Sequence, residues 1–252
     1  YNNAFGQNAL GALTGGTKNA AFGQDCLANL TTGDYNNAFG NSALVNNNAD
    51  YNTAMGHDAL AANTTGTRNA AFGNNALDAN TTGIDNTAVG GGALGANTTA
   101  NNNTAIGYAA LEANTTGTRL VAIGMNALNS NTTANDNVAV GNNVLDVNTT
   151  GTRNVAMGYN ALGANTTAND NTAIGHKALE VNTTGAQNVA VGNFALDAST
   201  TAGDNTAVGY EALSANTSGA QNTGVGHRSL ILNTTGLGLC AFGVGALDAN
   251  TT

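Results

Sequence analysis

The stretch that decides the fold is N-T-A-V-G-G-G-A-L-G-A-N-T-T-A-N-N, residues Asn86–Asn102, because similar copies of it fill the chain. The column that contains Leu94 is leucine in all fifteen copies. Such a fixed register predicts a repeat protein in which each copy contacts its neighbours. A glycine that follows an apolar residue recurs every 17 residues in thirteen of fourteen intervals and after 16 in the other: Gly6, Gly23, Gly40, Gly56, Gly73, Gly90, Gly107, Gly124, Gly141, Gly158, Gly175, Gly192, Gly209, Gly226 and Gly243.

The composition of each copy favours strands over helices. A glycine and a T-T-G turn interrupt the repeat, and Thr and Asn are weak helix formers. Two short extended segments fit each copy, Asn86–Val89 and Leu94–Thr99, with turns at Gly90 and Gly83. We therefore predict an all-β fold, a parallel β-solenoid of about fifteen 17-residue coils. We assign residues 1–252 to a single repeat domain, a segment of a longer fibre.

Two adjacent columns, those of Ala88 and Val89, are apolar and never charged. Neighbouring residues of a strand point to opposite sides, so one of the two columns should face outward. A long outward apolar row exceeds what soluble monomers usually expose, which favours self-association along the axis as a trimer. The alternative is a tight bend at Gly90 that turns both columns inward. The structural core that we expect comprises Leu77, Leu94, Leu111, Val89, Ile106, Ile123, Asn80, Asn97 and Asn114.

Polar columns should also connect the coils. Stacked asparagine amides can satisfy one another in an interior. Between about residues 100 and 219, the turn sequence T-T-A-N-D-N alternates with T-T-G-T-R-N or T-T-G-A-Q-N. This alternation places Asp136 between Arg119 and Arg153, and Asp170 after Arg153, so that ion pairs would oppose a slip of one coil. We expect an asparagine ladder at Asn63, Asn80, Asn97, Asn114, Asn131, Asn148, Asn165 and Asn182.

The charge balance excludes several classes of partner. The chain has a formal net charge of −9 and only six Lys and Arg residues, without a basic cluster. Binding to nucleic acid or to an anionic membrane surface is therefore not expected. No apolar run is long enough to insert into a membrane. Cys26 and Cys240 are about twelve coils apart, too far for a disulfide, and both are interpreted as small apolar fillers.

No arrangement of residues indicates catalysis, a cofactor or a metal. The acidic residues are scattered, and no nucleophile–base constellation or phosphate loop occurs, so we predict that the chain is not an enzyme. His57, His176 and His227 follow the glycine in three copies. They could meet as a three-His site only if three chains shared an axis, and exposed turn residues are the favoured interpretation.

Tyrosines recur in the same variable position at intervals of 51 residues, at Tyr108, Tyr159 and Tyr210. Regularly spaced aromatic rings can stack on sugars, so these three are candidate glycan contacts. Scattered surface tyrosines are the simpler interpretation.

The string N-T-A-I-G-x-x-A-L-x-x-N-T-T-G resembles repeats of bacteriophage tail-fibre proteins and bacterial surface fibres. Its N-x-A-[VI]-G core is similar to the head of the YadA-type trimeric autotransporter adhesins. The resemblance implies a left-handed, trimeric parallel β-roll whose apolar strand residues are shared between the coil interior and the trimer axis. It also implies an extracellular location, on a virion or a bacterial cell surface. No functional residue is carried over, because the shared residues are structural.

We therefore expect a structural fibre shaft that acts as a spacer or adhesion stalk. Its partners would be further copies of itself and host-surface glycans. Three alternatives stay open. The first is a self-assembling extracellular matrix filament. The second is an ice-binding solenoid, which would need a flat outward array of the Thr-Thr pairs. The third is a carbohydrate-binding solenoid that uses the three tyrosines.

Overall fold

The computed structural model describes all 252 residues, Tyr1–Thr252, and confirms a β-solenoid of parallel strands. The chain forms two compact units, Tyr1–Asn126 and Ala127–Thr252, each built from the same coil. The strands of the first unit are β1 Asn3–Phe5, β2 Ala20–Phe22, β3 Asn37–Phe39, β4 Thr53–Met55, β5 Ala70–Phe72, β6 Thr87–Val89, β7 Thr104–Ile106 and β8 Val121–Ile123. Those of the second are β9 Val138–Val140, β10 Val155–Met157, β11 Thr172–Ile174, β12 Val189–Val191, β13 Thr206–Val208, β14 Thr223–Val225 and β15 Cys240–Phe242.

Each coil contributes one three-residue strand, which pairs in parallel with the strands of the adjacent coils of its unit. In β6, Ala88 lies opposite Ala105 of β7, and Thr87 lies opposite Thr104. Ala88 is fully buried, whereas Val89 is 37% exposed and Thr87 is half-buried. The strand therefore turns one small side chain inward and two side chains outward, as the alternation of a strand requires. The alternative interpretation, a bend at Gly90 that turns both columns inward, is therefore wrong.

The glycine that ends each strand is required by its backbone conformation and by the adjacent coil. Gly90 has φ +136°, a region that L side chains rarely adopt. A β-carbon at this position would also overlap the carbonyl oxygen of Gly107 in the next coil. Stacked coils approach each other so closely here that only glycine fits.

The second predicted strand, Leu94–Thr99, is wrong. Residues after Gly90 form consecutive tight turns, in which Ala93 N–H donates to Gly90 O at 3.3 Å and Asn97 N–H donates to Leu94 O at 3.1 Å. Leu94 has a left-handed backbone, with φ 53°, and its side chain is fully buried. Burial in a close-packed interior stabilises a conformation that is unfavourable by about 1–2 kcal/mol for a residue with a β-carbon.

Columns of identical side chains fill the interior, as predicted. Leu77, Leu94 and Leu111 have no exposed surface, and Leu94 N–H donates to Ala110 O of the following coil at 3.0 Å. Asn80, Asn97 and Asn114 are also fully buried. The leucines supply apolar burial, and the asparagines occupy positions where the backbone of the tight turns needs polar partners.

Two asparagine ladders run along the interior, one of which the sequence interpretation missed. In the expected ladder, Asn97 Nδ2 donates to Asn80 Oδ1 at 2.9 Å. The second ladder precedes the strands, where Asn86 N–H donates to Asn69 Oδ1 at 3.0 Å and Asn86 Nδ2 donates to Ala100 O at 2.8 Å. Both ladders join adjacent coils and satisfy amides that would be costly to bury alone.

One coil is a residue shorter, and an asparagine side chain replaces the missing backbone group. In a 17-residue coil, the N–H groups of Thr81 and Thr82 both donate to Thr98 O, at 2.9 Å and 3.2 Å. In the short coil, Asn48 Oδ1 instead accepts from the N–H groups of Thr31 and Thr32, both at 3.1 Å. A side-chain carbonyl thus restores the bonds of an absent peptide carbonyl.

Candidate functional site

The outward side of the strands is an uncharged surface, which we name the apolar face. It is formed by the third residue of every strand, which is always Phe, Met, Val or Ile. The first residue of the strand, such as Thr87, also faces outward, and neither row contains a charged residue. In the first unit, Val89, Ile106 and Ile123 are 37%, 38% and 37% exposed. In the second unit, Ile174 and Met157 are 37% and 40% exposed. Contiguous apolar surface of this kind marks interaction sites in soluble proteins.

Val89, Ile106 and Ile123 are therefore not core residues of this chain, contrary to the prediction. The sequence placed them with the leucines because all of these columns are apolar. The inward position of the strand is instead occupied by alanine, such as Ala88 and Ala105, because the coil leaves room for only one methyl group beside the leucine column. The larger side chains lie on the outside.

Ion pairs connect adjacent coils through residues that lie two positions before the strands. Arg153 contacts Asp170 through two bonds, from Nε to Oδ1 at 2.7 Å and from Nη2 to Oδ2 at 2.9 Å. Arg68 and Asp85 form the same pair in the first unit, at 2.6 Å and 2.9 Å. Hydrogen bonds from each arginine lower the pKa of its aspartate. The predicted pairing of Arg153 with the following Asp170 is confirmed.

A partly buried acidic residue lies in the column after the leucines of the second unit. Removal from water raises the pKa of Asp197 to about 6, and the negative charges of Glu180 and Glu211 contribute in the same direction. Asp197 Oδ1 is buried and has no hydrogen-bond partner. The flanking acids have their own cations: Lys177 Nζ lies 3.2 Å from Glu180, and Arg228 Nε lies 3.3 Å from Glu211.

The histidines and cysteines form no reactive group. His57 Nδ1 lies 2.9 Å from Asp58 Oδ2, whereas His176 and His227 stack on tyrosine rings. No group of three His, Cys, Asp or Glu side chains could hold a metal ion. Cys26 is a buried filler, and burial raises the pKa of its thiol. Cys240 is exposed, so its assignment as a filler is wrong.

The three candidate tyrosines differ in how their rings are covered. Tyr159 stacks on His176 with ring centroids 5.4 Å apart, and Tyr210 stacks on His227 at 5.5 Å. One face of each of these two rings is therefore closed to a sugar. Tyr108 is 68% exposed, and the residue beside it in the preceding coil is Gly91, which has no side chain. Tyr108 thus differs from Tyr159 and Tyr210 in what lies beside its ring.

The Thr-Thr pairs lie in turns and not on the sheet. The first hydroxyl of a pair bonds within the solenoid: Thr81 Oγ1 donates to Thr98 O at 3.1 Å. In most pairs only the second threonine, such as Thr82 or Thr99, is exposed, whereas Thr64 and Thr200 are first threonines that are also exposed. A single exposed row of turn residues differs from the flat paired array that the ice-binding interpretation requires.

Comparison with protein-family models and with curated proteins finds no match to this chain. The structure contains no helix with the length and hydropathy needed to cross a membrane.

Proposed function

We propose that the chain is the shaft of a surface fibre, a spacer or adhesion stalk in which three chains associate along their apolar faces. The observation that carries the proposal is the apolar face itself. It repeats in every coil, lacks charge and leaves more than a third of Val89, Ile106 and Ile174 exposed. Association would remove these side chains from water, with a gain of about 25 cal/mol per Å² of apolar surface.

The repeat also suits a spacer. Each coil adds one rung of parallel strand, so the length of a stack rises with the number of coils. The columns that hold the stack together are inside the coil, and the variable residues are outside. A shaft can thereby change its surface without losing its fold. An extracellular place on a virion or bacterial surface belongs to the same proposal.

Self-association is tested by measuring the mass of the chain in solution by analytical ultracentrifugation. The chain of 24.8 kDa is expected to sediment at three times that mass. A double variant, Ile106→Asp with Ile174→Asp, places one charge on the apolar face of each unit and should yield monomers with an unchanged circular dichroism spectrum. The matched control is Thr99→Asp with Thr167→Asp, which adds the same charges at exposed turn positions and should stay trimeric. A wild-type chain that stays monomeric at high concentration contradicts the proposed association.

The role as a shaft is tested by removing coils and measuring the length of the assembled particle. Deletion of residues 155–188, one 34-residue doublet, joins Asn154 to Val189 and keeps the register of both the asparagine ladder and the strands. Electron micrographs of the assembled particles should then show shafts that are shorter by about 10 Å, the rise of two coils. Particles of unchanged length would contradict a shaft.

A further inference from the structure

A notch interrupts the surface of the first unit at Gly91 and Gly92. Most coils carry a side chain at the corresponding positions, as Asn74 and Asn75 do in the preceding coil. The two glycines leave a cavity of about 300 Å³, lined by Asn74, Asn75, Gly91, Gly92, Tyr108 and Glu112. This volume lies at the lower end of the range of small-molecule sites.

The notch has an aromatic wall. The position that a β-carbon of Gly91 would take is 3.6 Å from Tyr108 Cδ2 and 3.9 Å from Cε2, so the glycine leaves this side of the ring open. Beside Tyr159 and Tyr210, the preceding coil carries an asparagine side chain instead of a glycine, Asn142 and Asn193. His176 and His227 of the following coils stack on the other face of these two rings. Tyr108 therefore combines a ring face that lies next to a glycine with a cavity.

The remaining walls are polar. Glu112 Oε1 lies 3.7 Å from the β-carbon position of Gly92. Asn74 Nδ2 donates to Asn75 Oδ1 at 2.6 Å, and Asn75 Nδ2 donates to Asp78 Oδ2 at 3.3 Å, which fixes the orientation of both amides. A ring face bordered by amides and a carboxylate suits a ligand with an apolar C–H face and hydroxyls at its rim.

We propose that this notch binds one neutral pyranose residue of a glycan, stacked on Tyr108, with its hydroxyls bonded to Glu112 and Asn74. The carboxylate and the net charge of −9 disfavour an acidic sugar. The proposal does not depend on self-association, because all of the lining residues belong to one unit of one chain. A single weak site on a shaft becomes effective when an assembled fibre presents several copies.

The test is saturation-transfer NMR with the methyl pyranosides of glucose, galactose and N-acetylglucosamine. At least one should receive magnetisation at its ring protons, with a dissociation constant on the order of 1 mM. The double variant Gly91→Asn with Gly92→Asn introduces the Asn-Asn pair of the preceding coil and should lower the signal about tenfold, as should Tyr108→Ala. The control Tyr159→Ala should keep the full signal.

Three results would overturn the proposal: no transfer to any of the three pyranosides, equal transfer in the filled variant, or binding of choline or indole in their place. Sedimentation of the same samples reports the oligomeric state separately. A chain that binds sugar as a monomer would therefore support the notch and contradict only the trimeric shaft. Unchanged circular dichroism spectra show that the variants are folded.

Discussion

The inward and outward apolar columns of the strands lie one residue apart, yet they tolerate different side chains. The inward column is alanine in fourteen coils and Gly224 in the other. The outward column contains Phe, Met, Val and Ile in no fixed order, as at Phe72, Val89 and Ile106. The close-packed interior of a coil has a fixed volume, so the inward position accepts only a side chain as small as that of alanine. The outward residues need only be apolar and to continue the strand, which is typical of a surface that another surface covers.

The largest effect on stability should come from substituting a glycine that ends a strand, where adjacent coils are in closest contact. Gly90→Ala places a β-carbon against the carbonyl oxygen of Gly107 in a left-handed backbone, and we expect a loss of about 3–5 kcal/mol in the free energy of unfolding. The matched control is Gly91→Ala, where no atom lies closer than 3.6 Å and the loss should stay below about 1 kcal/mol. Urea denaturation measures both. Equal losses for the two variants would show that adjacent coils can move apart to accommodate a β-carbon at Gly90.

The next prediction compares the loss of stability caused by truncating a buried side chain with the loss caused by truncating an outward one. Leu94→Ala opens a cavity in the fully buried column and should cost about 3 kcal/mol. Val89→Ala removes an outward side chain and should cost less than about 1 kcal/mol in the monomeric Asp double variant, but more in the assembled wild type. Urea midpoints of both backgrounds provide the comparison. A large loss for Val89→Ala in the monomer would contradict an outward role for this column.

A smaller, stabilising effect is expected where the asparagine ladder that contains Asn97 and Asn182 is interrupted. Ser199 occupies a ladder position, and both Ser199 Oγ and Asn182 Oδ1 are buried without a partner. Ser199→Asn would let the new amide donate to Asn182 Oδ1, and we expect a gain of about 1 kcal/mol. The control Ser214→Asn, at a half-buried position of the following coil, should give no gain. A thermal midpoint that falls would show that the gap has no room for an amide.

A pH-dependent effect is expected from Asp197, whose carboxylate is partly buried. Its pKa is about 6 in the folded chain, above the ordinary 3.8, so the folded state binds the proton more tightly. This contribution to stability is complete below about pH 4 and is lost as the pH rises through 6. We therefore expect the urea midpoint of the wild type to fall more between about pH 4 and 7 than that of Asp197→Asn. Parallel curves would contradict the raised pKa.

The sequence was sufficient for the stacked coils, the leucine column and the first asparagine ladder, because each appears as a fixed column at one spacing. The second ladder, which contains Asn69 and Asn86, was equally regular, but its residues were interpreted as the start of a strand. The left-handed backbone of Leu94 could not be predicted from local preference, because only the buried environment stabilises it. The notch beside Tyr108 arises from two missing side chains and becomes visible only when adjacent coils are compared in space.

The bonds of Asn48 Oδ1 to Thr31 and Thr32 have a consequence for how such chains diversify. Loss of one codon in a periodic gene would normally displace every downstream contact. Here the turn absorbs the loss, because an amide side chain accepts the same donors as the absent peptide group, and the next strand pairs correctly, with Asn37 opposite Thr53. The turn that holds the threonines is thus the place where copies of unequal length can be joined in one array without an adaptor.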